Sequence, residues 1–223
     1  MPSRYRWFSI GVPQGIHKLA STLRMSSLSV SSTSGFSSLE ESSLRIEGEF
    51  LAKSRLNILR AHPDGTSSYE VIDAISSNRF SIFERGKNIW LRIADPPRSS
   101  RYMTDALERS IGMGFFASPV IFTEDTFNEI LQNVDQCRLI GAKGIAPLPS
   151  SNAVARIEIA SKDGLEFGKI KMLDGLNYSI DSALFEIVYQ REKGQVSFAK
   201  NGLVKISGHL SPRILSLIEE SLQ

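Results

Sequence analysis

A single cysteine, Cys137, stands in the 223 residues of the chain, which excludes an internal disulfide and any zinc site built from paired thiolates. In the apolar-alternating stretch Gln136 to Ala142 it reads as a small buried hydrophobe, with a reactive thiol as the alternative. Histidine is scarce as well. His17, His62 and His209 fall in a helix, a turn and a strand end, at no metal-binding spacing. The chain lacks both the Gly-x-x-x-x-Gly-Lys-Ser/Thr phosphate loop and the Gly-x-Ser-x-Gly nucleophile elbow, and Ile111-Gly112-Met113-Gly114 lacks the third glycine of a dinucleotide fingerprint. The acid pairs Glu40-Glu41 and Glu219-Glu220 read as solvated faces rather than an acid/base couple. The expectation is therefore a protein with no catalytic residue, no metal and no cofactor. No apolar run approaches the roughly 20 residues of a membrane-spanning helix. Lysine and arginine number 26 against 24 acids, a net charge of +2, so no basic field marks a nucleic-acid partner.

Acidic residues are missing altogether before Glu40, while Arg4, Arg6, Lys18 and Arg24 and many serines are present. Residues 1–12 thus read as a basic N-terminus, disordered or targeting, and the acid-free composition suits an organelle transit segment. The apolar stretch Trp7 to Val12 is too short for a secretory signal before Pro13 breaks it. Against the targeting reading, Ile16, Leu19, Ala20 and Leu23 recur at i, i+3, i+4 and i+7, the pattern of an amphipathic helix.

What is present is ordinary globular composition, 41% hydrophobic and 22% charged, and mostly β periodicity. Leu44, Ile46, Gly48 and Phe50 alternate with Arg45, Glu47 and Glu49, as in a half-buried strand. Further strands are expected over Leu56 to Arg60, Ser68 to Ile75, Arg79 to Glu84 and Asn88 to Ala94, with turns at His62-Pro63-Asp64-Gly65 and Arg85-Gly86-Lys87. Asp95-Pro96-Pro97 ends this meander. Tyr102 to Val134 turns helical and loop-like; Thr123 caps a helix bearing Phe127, Ile130, Leu131 and Val134. Strands resume at Cys137 to Ala142, then at Val154 to Ala160 after a loop over Lys143 to Asn152, and at Leu165 to Met172. A turn at Asp174-Gly175 and strands Leu184 to Gln190, Gln195 to Ala199 and Leu203 to Ser207 follow, divided by turns at Lys193-Gly194 and Asn201-Gly202. Ser211-Pro212 opens a closing helix with Ile214, Leu215, Ile218 and Leu222 inward.

The fold class is mostly β, α+β: a curved antiparallel sheet or unclosed half-barrel of about ten strands, with helices on its concave face. Residues 13–223 are expected to form a single domain with a helical lid around 104–134. A lid that covers the sheet without filling it leaves a dry cavity for a lipid or acyl chain. Its candidate walls are Leu44, Ile46, Phe50, Ile89, Leu91, Phe115, Phe116, Phe127 and Ile130; for each, a close-packed core is the competing assignment.

The opening helix Ile16 to Leu28, the strand Leu44 to Phe50, the strand-turn-strand Phe80 to Leu91 with Trp90, and Leu139-Ile140-Gly141-Ala142-Lys143-Gly144 occur in an order that resembles the LolA/LolB-like lipoprotein-carrier superfamily with its LppX/LprG relatives. The resemblance spans roughly residues 15 to 210, and Arg85 stands where the family's turn carries an acid. It implies a non-enzymatic carrier or sensor that binds lipid or an acylated protein, with a membrane-associated protein partner, in a periplasm or cell envelope. The alternative is a β-rich module that binds another protein through its sheet, with a filled core.

Overall fold

The computed structural model describes residues 2–148, 153–166 and 178–222. It is mostly β, with one large open antiparallel sheet, as expected. Its strands are β1 (Ser3–Gly11), β2 (Ser34–Ser42), β3 (Arg45–Ala61), β4 (Ser67–Arg85), β5 (Asn88–Ala94), β6 (Phe116–Pro119), β7 (Gln136–Leu148), β8 (Ala153–Ala160), β9 (Ser179–Tyr189), β10 (Glu192–Ala199) and β11 (Leu203–Ile206). The helices are α1 (Ile16–Met25), α2 (Arg101–Ile111), α3 (Glu124–Leu131) and α4 (Ser211–Ser221). Hydrogen bonding runs in the order β2-β3-β4-β5-β1-β11-β10-β9-β7-β8, with β6 on β1. The chain forms two compact units: an N-terminal one, Phe8–Ser118, and a C-terminal one made of Met1–Trp7 and Pro119–Gln223.

In the N-terminal unit, Phe8 and Ile10 of β1, Phe36 of β2, Ile46 and Phe50 of β3, Phe80 and Ile82 of β4, and Leu91 and Ile93 of β5 form one buried cluster with the two helices. From α1 come Ile16, Leu19, Ala20 and Leu23, the stripe the sequence predicts; from α2 come Met103, Ala106 and Leu107 at i, i+3 and i+4. Each of the larger side chains contributes about 1.5–3 kcal/mol by leaving water, and together with Ala20 and Ala106 they form the core between sheet and helices. Residues 3–11, read from composition as a disordered or targeting segment, form strand β1.

Strand β2 is absent from the sequence reading because its period is broken. A register shift falls between Ser37 and Glu40, and Ser38 adopts a left-handed φ of 51°. One aromatic anchors it: Phe36 lies 5.4 Å from Phe50 and 5.7 Å, edge-on, from Phe80 between ring centroids. The runs Leu56 to Arg60 and Ser68 to Ile75 are not separate strands. They are the outer halves of β3 and β4, which pair without interruption from Arg45↔Phe83 to Ala61↔Ser67. The polar stretch Lys53-Ser54-Arg55 contains no glycine or proline to turn the chain, so the ladder continues through it.

In the C-terminal unit, Phe127 of α3 lies 5.4 Å from Phe185 and 6.0 Å from Phe198, and Phe122 is 5.4 Å from Phe198. The α3 cap forms as predicted, Thr123 Oγ1 accepting from Thr126 N at 3.3 Å. At α4 the boundary shifts by one residue. Leu210 is the cap, and Ser211 Oγ instead bonds Tyr5 Oη at 2.8 Å. Lys143 to Leu148, expected as loop, belongs to β7, where Pro147 pairs with Val154 of β8. Cys137 is exposed rather than buried, although partial burial pushes its thiol above the usual pKa. The remaining expectations in this region, a strand reaching Met172 and a turn at Asp174-Gly175, fall outside the described residues.

The turn expected at Lys193-Gly194 is misplaced by three residues. The chain reverses at Gln190-Arg191, both left-handed (φ 49° and 68°), while Lys193 and Gly194 lie inside β10. Gly194 is a glycine for a different reason: a Cβ there would stand 2.3 Å from Ser207 Oγ and 2.4 Å from Leu210 Cδ1. Two L-residues forced into the left-handed region destabilise this hairpin, whose two-residue turn favours Asn-Gly. The double substitution Gln190→Asn with Arg191→Gly should therefore stabilise the protein by about 1 kcal/mol, read as a higher urea midpoint with unchanged slope. The Gln190 N–H bond to Asp135 Oδ2, 2.8 Å, is a backbone contact that survives the change.

Candidate functional site

The nine residues predicted to wall a cavity are divided between the two units. Ile46, Phe50 and Leu91 are packed in the N-terminal unit's core, with Ile89 and Phe115 against it. Phe127 and Ile130 are buried in the C-terminal unit. Leu44, in the turn before β3, is 53% exposed, and Phe116 is 54% exposed. The stretch read as one lid, 104–134, is divided: α2 belongs to the N-terminal unit and α3 to the C-terminal one.

An opening does exist in the N-terminal unit, at a place the sequence reading missed. Opposed residues of antiparallel strands share a face, so the core-facing side of β3 and β4 follows the pairs Ile46↔Ile82 and Gly48↔Phe80, then Phe50↔Asn78, Ala52↔Ser76, Ser54↔Ala74 and Leu56↔Ile72. Large apolar side chains give way at Asn78 and then, for two full rungs, to small or polar ones on both strands before they return. Over that notch, α2 has only begun. The result is an open groove of about 540 Å³, within the roughly 300–1,000 Å³ of small-molecule sites. Its apolar wall is Phe50, Ile93, Pro97, Tyr102 and Met103. Its polar side includes Ser54, Ser76, Asn78, Ser99 and Ser100. Of the predicted residues only Phe50 touches it. The signal that could have found it is the run of small residues, Ala52 and Ser54 against Ala74 and Ser76, on positions where the strand period calls for core.

Lys53 and Arg55 border the groove as well, but their rungs, Lys53↔Ile75 and Arg55↔Asp73, belong to the other face of the ribbon. Arg55 pairs with Asp73 at 3.4 Å. The Lys53 ammonium is held by carbonyl oxygens of Ser29 and Val30 at 2.7 and 3.0 Å, partners that leave its charge in place. Asn78 is fixed by donating from Nδ2 to the Asp95 carbonyl at 3.2 Å.

Beyond the groove the β3–β4 ribbon carries exposed apolar side chains on both faces: Leu56, Ile58 and Ile72 on the groove side, and Leu59, Tyr69, Val71 and Ile75 on the other. Cross-strand ion pairs Arg55–Asp73 and Arg60–Glu70, the latter 3.4 Å, accompany them. Among the described residues no group of three or more His, Cys, Asp or Glu is placed to hold a metal ion, and no helix is long and apolar enough to cross a membrane. No protein-family model matches the chain, and no curated protein matches it.

Proposed function

We propose that the protein is a non-enzymatic binder of a hydrophobic ligand, a lipid or an acyl chain, and that the groove beside the start of α2 is where that ligand sits. The observation that carries this reading is the notch of small side chains, which opens about 540 Å³ directly onto the apolar wall of Phe50, Ile93 and Met103. A chain entering there leaves water at about 0.8 kcal/mol per CH₂. A carrier or sensor role, as the LolA/LolB-like resemblance implies, needs this reversible apolar contact and no reacting group. The space between sheet and helices is filled by core, so the proposed ligand lies at the margin of that core rather than inside it.

The test is titration with N-phenylnaphthylamine, an uncharged dye that fluoresces in apolar surroundings. Wild-type protein should bind one dye, and Ser76→Trp, which places a large ring on the exposed groove wall, should lose at least about tenfold in affinity while keeping its circular dichroism. Equal binding by both proteins contradicts the assignment to the groove.

The apolar ribbon favours a second reading, a β module that docks a protein partner along β3 and β4. Under it, Leu59→Ser with Tyr69→Ser abolishes partner binding and leaves dye binding in the groove intact.

A further inference from the structure

The outer half of the β3–β4 ribbon has a face that is its own complement. From Lys53↔Ile75 to Ala61↔Ser67 the two strands pair with each other, whereas β2 pairs with β3 only as far as Ala52 and β5 with β4 only from Phe80. A two-stranded ribbon is marginal in water unless something packs on it. The face turned away from the groove carries the rungs Lys53↔Ile75, Arg55↔Asp73, Asn57↔Val71 and Leu59↔Tyr69. On it Leu59, Tyr69, Val71 and Ile75 are each more than half exposed, a contiguous apolar patch of the kind that marks a docking surface. A lipid bilayer is a poor occupant, because the free strand edges need hydrogen bonds that hydrocarbon does not supply.

Charge selects the occupant. Lys53 to Ala61 contains three cations and no acid, and Ser67 to Ser77 two acids and no cation. On the far face this places Lys53 and Arg55 along β3 and Asp73 along β4. A matching surface needs the reverse order, with apolar groups at the level of Leu59 and Tyr69. The same face, turned over about the long axis of the ribbon, has that order. The rotation keeps each rung at its level and exchanges the strands, so that Arg55 comes to face Asp73 of a second copy and Leu59 its Tyr69, in both directions. The Arg55–Asp73 pair is 82% and 86% exposed, so each charge keeps its own partner and has room for another. Turned about the perpendicular axis instead, β3 would lie on β3 and Arg55 would face no acid.

We propose that this face of the ribbon binds the same face of a second copy of the chain, about a two-fold axis along the ribbon. This rests on the second reading above, docking along β3 and β4, and names the partner. Burial of the four apolar side chains supplies the attraction, and the exposed charges, which add little affinity, fix which strand lies on which. The contact is isologous and closes at two copies. A ribbon running from Lys53 to Ala61 at about 3.3 Å per residue is about 30 Å long and, across two strands, about 10 Å wide. That is well short of the roughly 800 Å² per partner of a stable interface, so the dimer forms at concentrations on the order of tens of micromolar.

Sedimentation equilibrium of the full chain between about 1 and about 300 µM tests this. The mean mass should rise from that of one chain towards that of two, and Leu59→Ser with Tyr69→Ser should hold it at one with unchanged circular dichroism. Asp73→Arg alone and Arg55→Asp alone should each weaken association at least about tenfold. An equimolar mixture of these two variants should restore it to within about threefold of wild type, a rescue that no change within one chain produces. Wild-type protein that keeps the mass of one chain throughout overturns the second-copy assignment and leaves the docking reading to its own test with a protein partner. A dimer untouched by Leu59→Ser with Tyr69→Ser lies elsewhere and overturns the proposal, and charge variants that associate normally, or whose mixture fails to associate, overturn the stacking of β3 on β4.

Discussion

Gly35→Ala should cost on the order of 3 kcal/mol of stability, and Phe36→Ala about 3–5 kcal/mol, although both lie in a serine-rich segment with little apolar content. A Cβ on Gly35 would stand 2.2 Å from the Leu28 amide nitrogen and 2.5 Å from the Ser27 carbonyl carbon. Both are backbone atoms, so no side-chain rotation relieves the overlap. They are held there because Ser27 bridges Phe36 and the Phe36 amide donates to the Ser26 carbonyl at 3.0 Å. Phe36 is in turn the one large side chain of β2 fully inside the core. Urea denaturation checks both variants. Midpoints within a few tenths of a molar of wild type would mean that residues 26–36 are not integral to the folded unit.

The second large effect separates residues that the sequence grouped together. Leu91→Ala should lose about 2–5 kcal/mol, whereas Leu44→Ala should change stability by no more than about 0.5 kcal/mol. Leu91 is fully buried opposite Ile82, while Leu44 stands half in water. A cavity wall would behave otherwise at Leu91, because a side chain facing a void has fewer contacts to lose. Chemical denaturation measures the difference directly, and a cost at Leu91 below about 1 kcal/mol would contradict the close-packed core.

Much of the fold was legible because its signals are local. The α1 stripe, the Thr123 cap, and the turns at Asp64-Gly65, Gly86-Lys87 and Asn201-Gly202 depend on neighbours within a few residues, and they stand where the periods and turn residues put them. The misreadings share one cause, residues whose reason is long-range. Gly194 is small because Leu210 and Ser207 press on it, not because the chain turns there. Gln190-Arg191 turns without the favoured residues because β9 and β10 pair around it in fixed register from Tyr189↔Glu192. Serine composition in β2 hid a strand recruited by a single phenylalanine.

The candidate site was hidden for a related reason. A search for large apolar residues finds what fills a core, and the groove is made by residues too small to fill it. Ala52 and Ser76 face each other across the ladder, and neither carries a chemical signature alone. Only the register brings the small residues of β3 and β4 together under the start of α2.

The most direct test of the account is native mass spectrometry of protein purified without detergent and then exposed to a mixture of single-chain lipids. The account predicts one adduct per chain on the wild type, of the mass of a single lipid, and its loss in Ser76→Trp at equal stability. Wild-type protein that emerges bare from the mixture, or a Ser76→Trp variant that carries the same adduct, would contradict it.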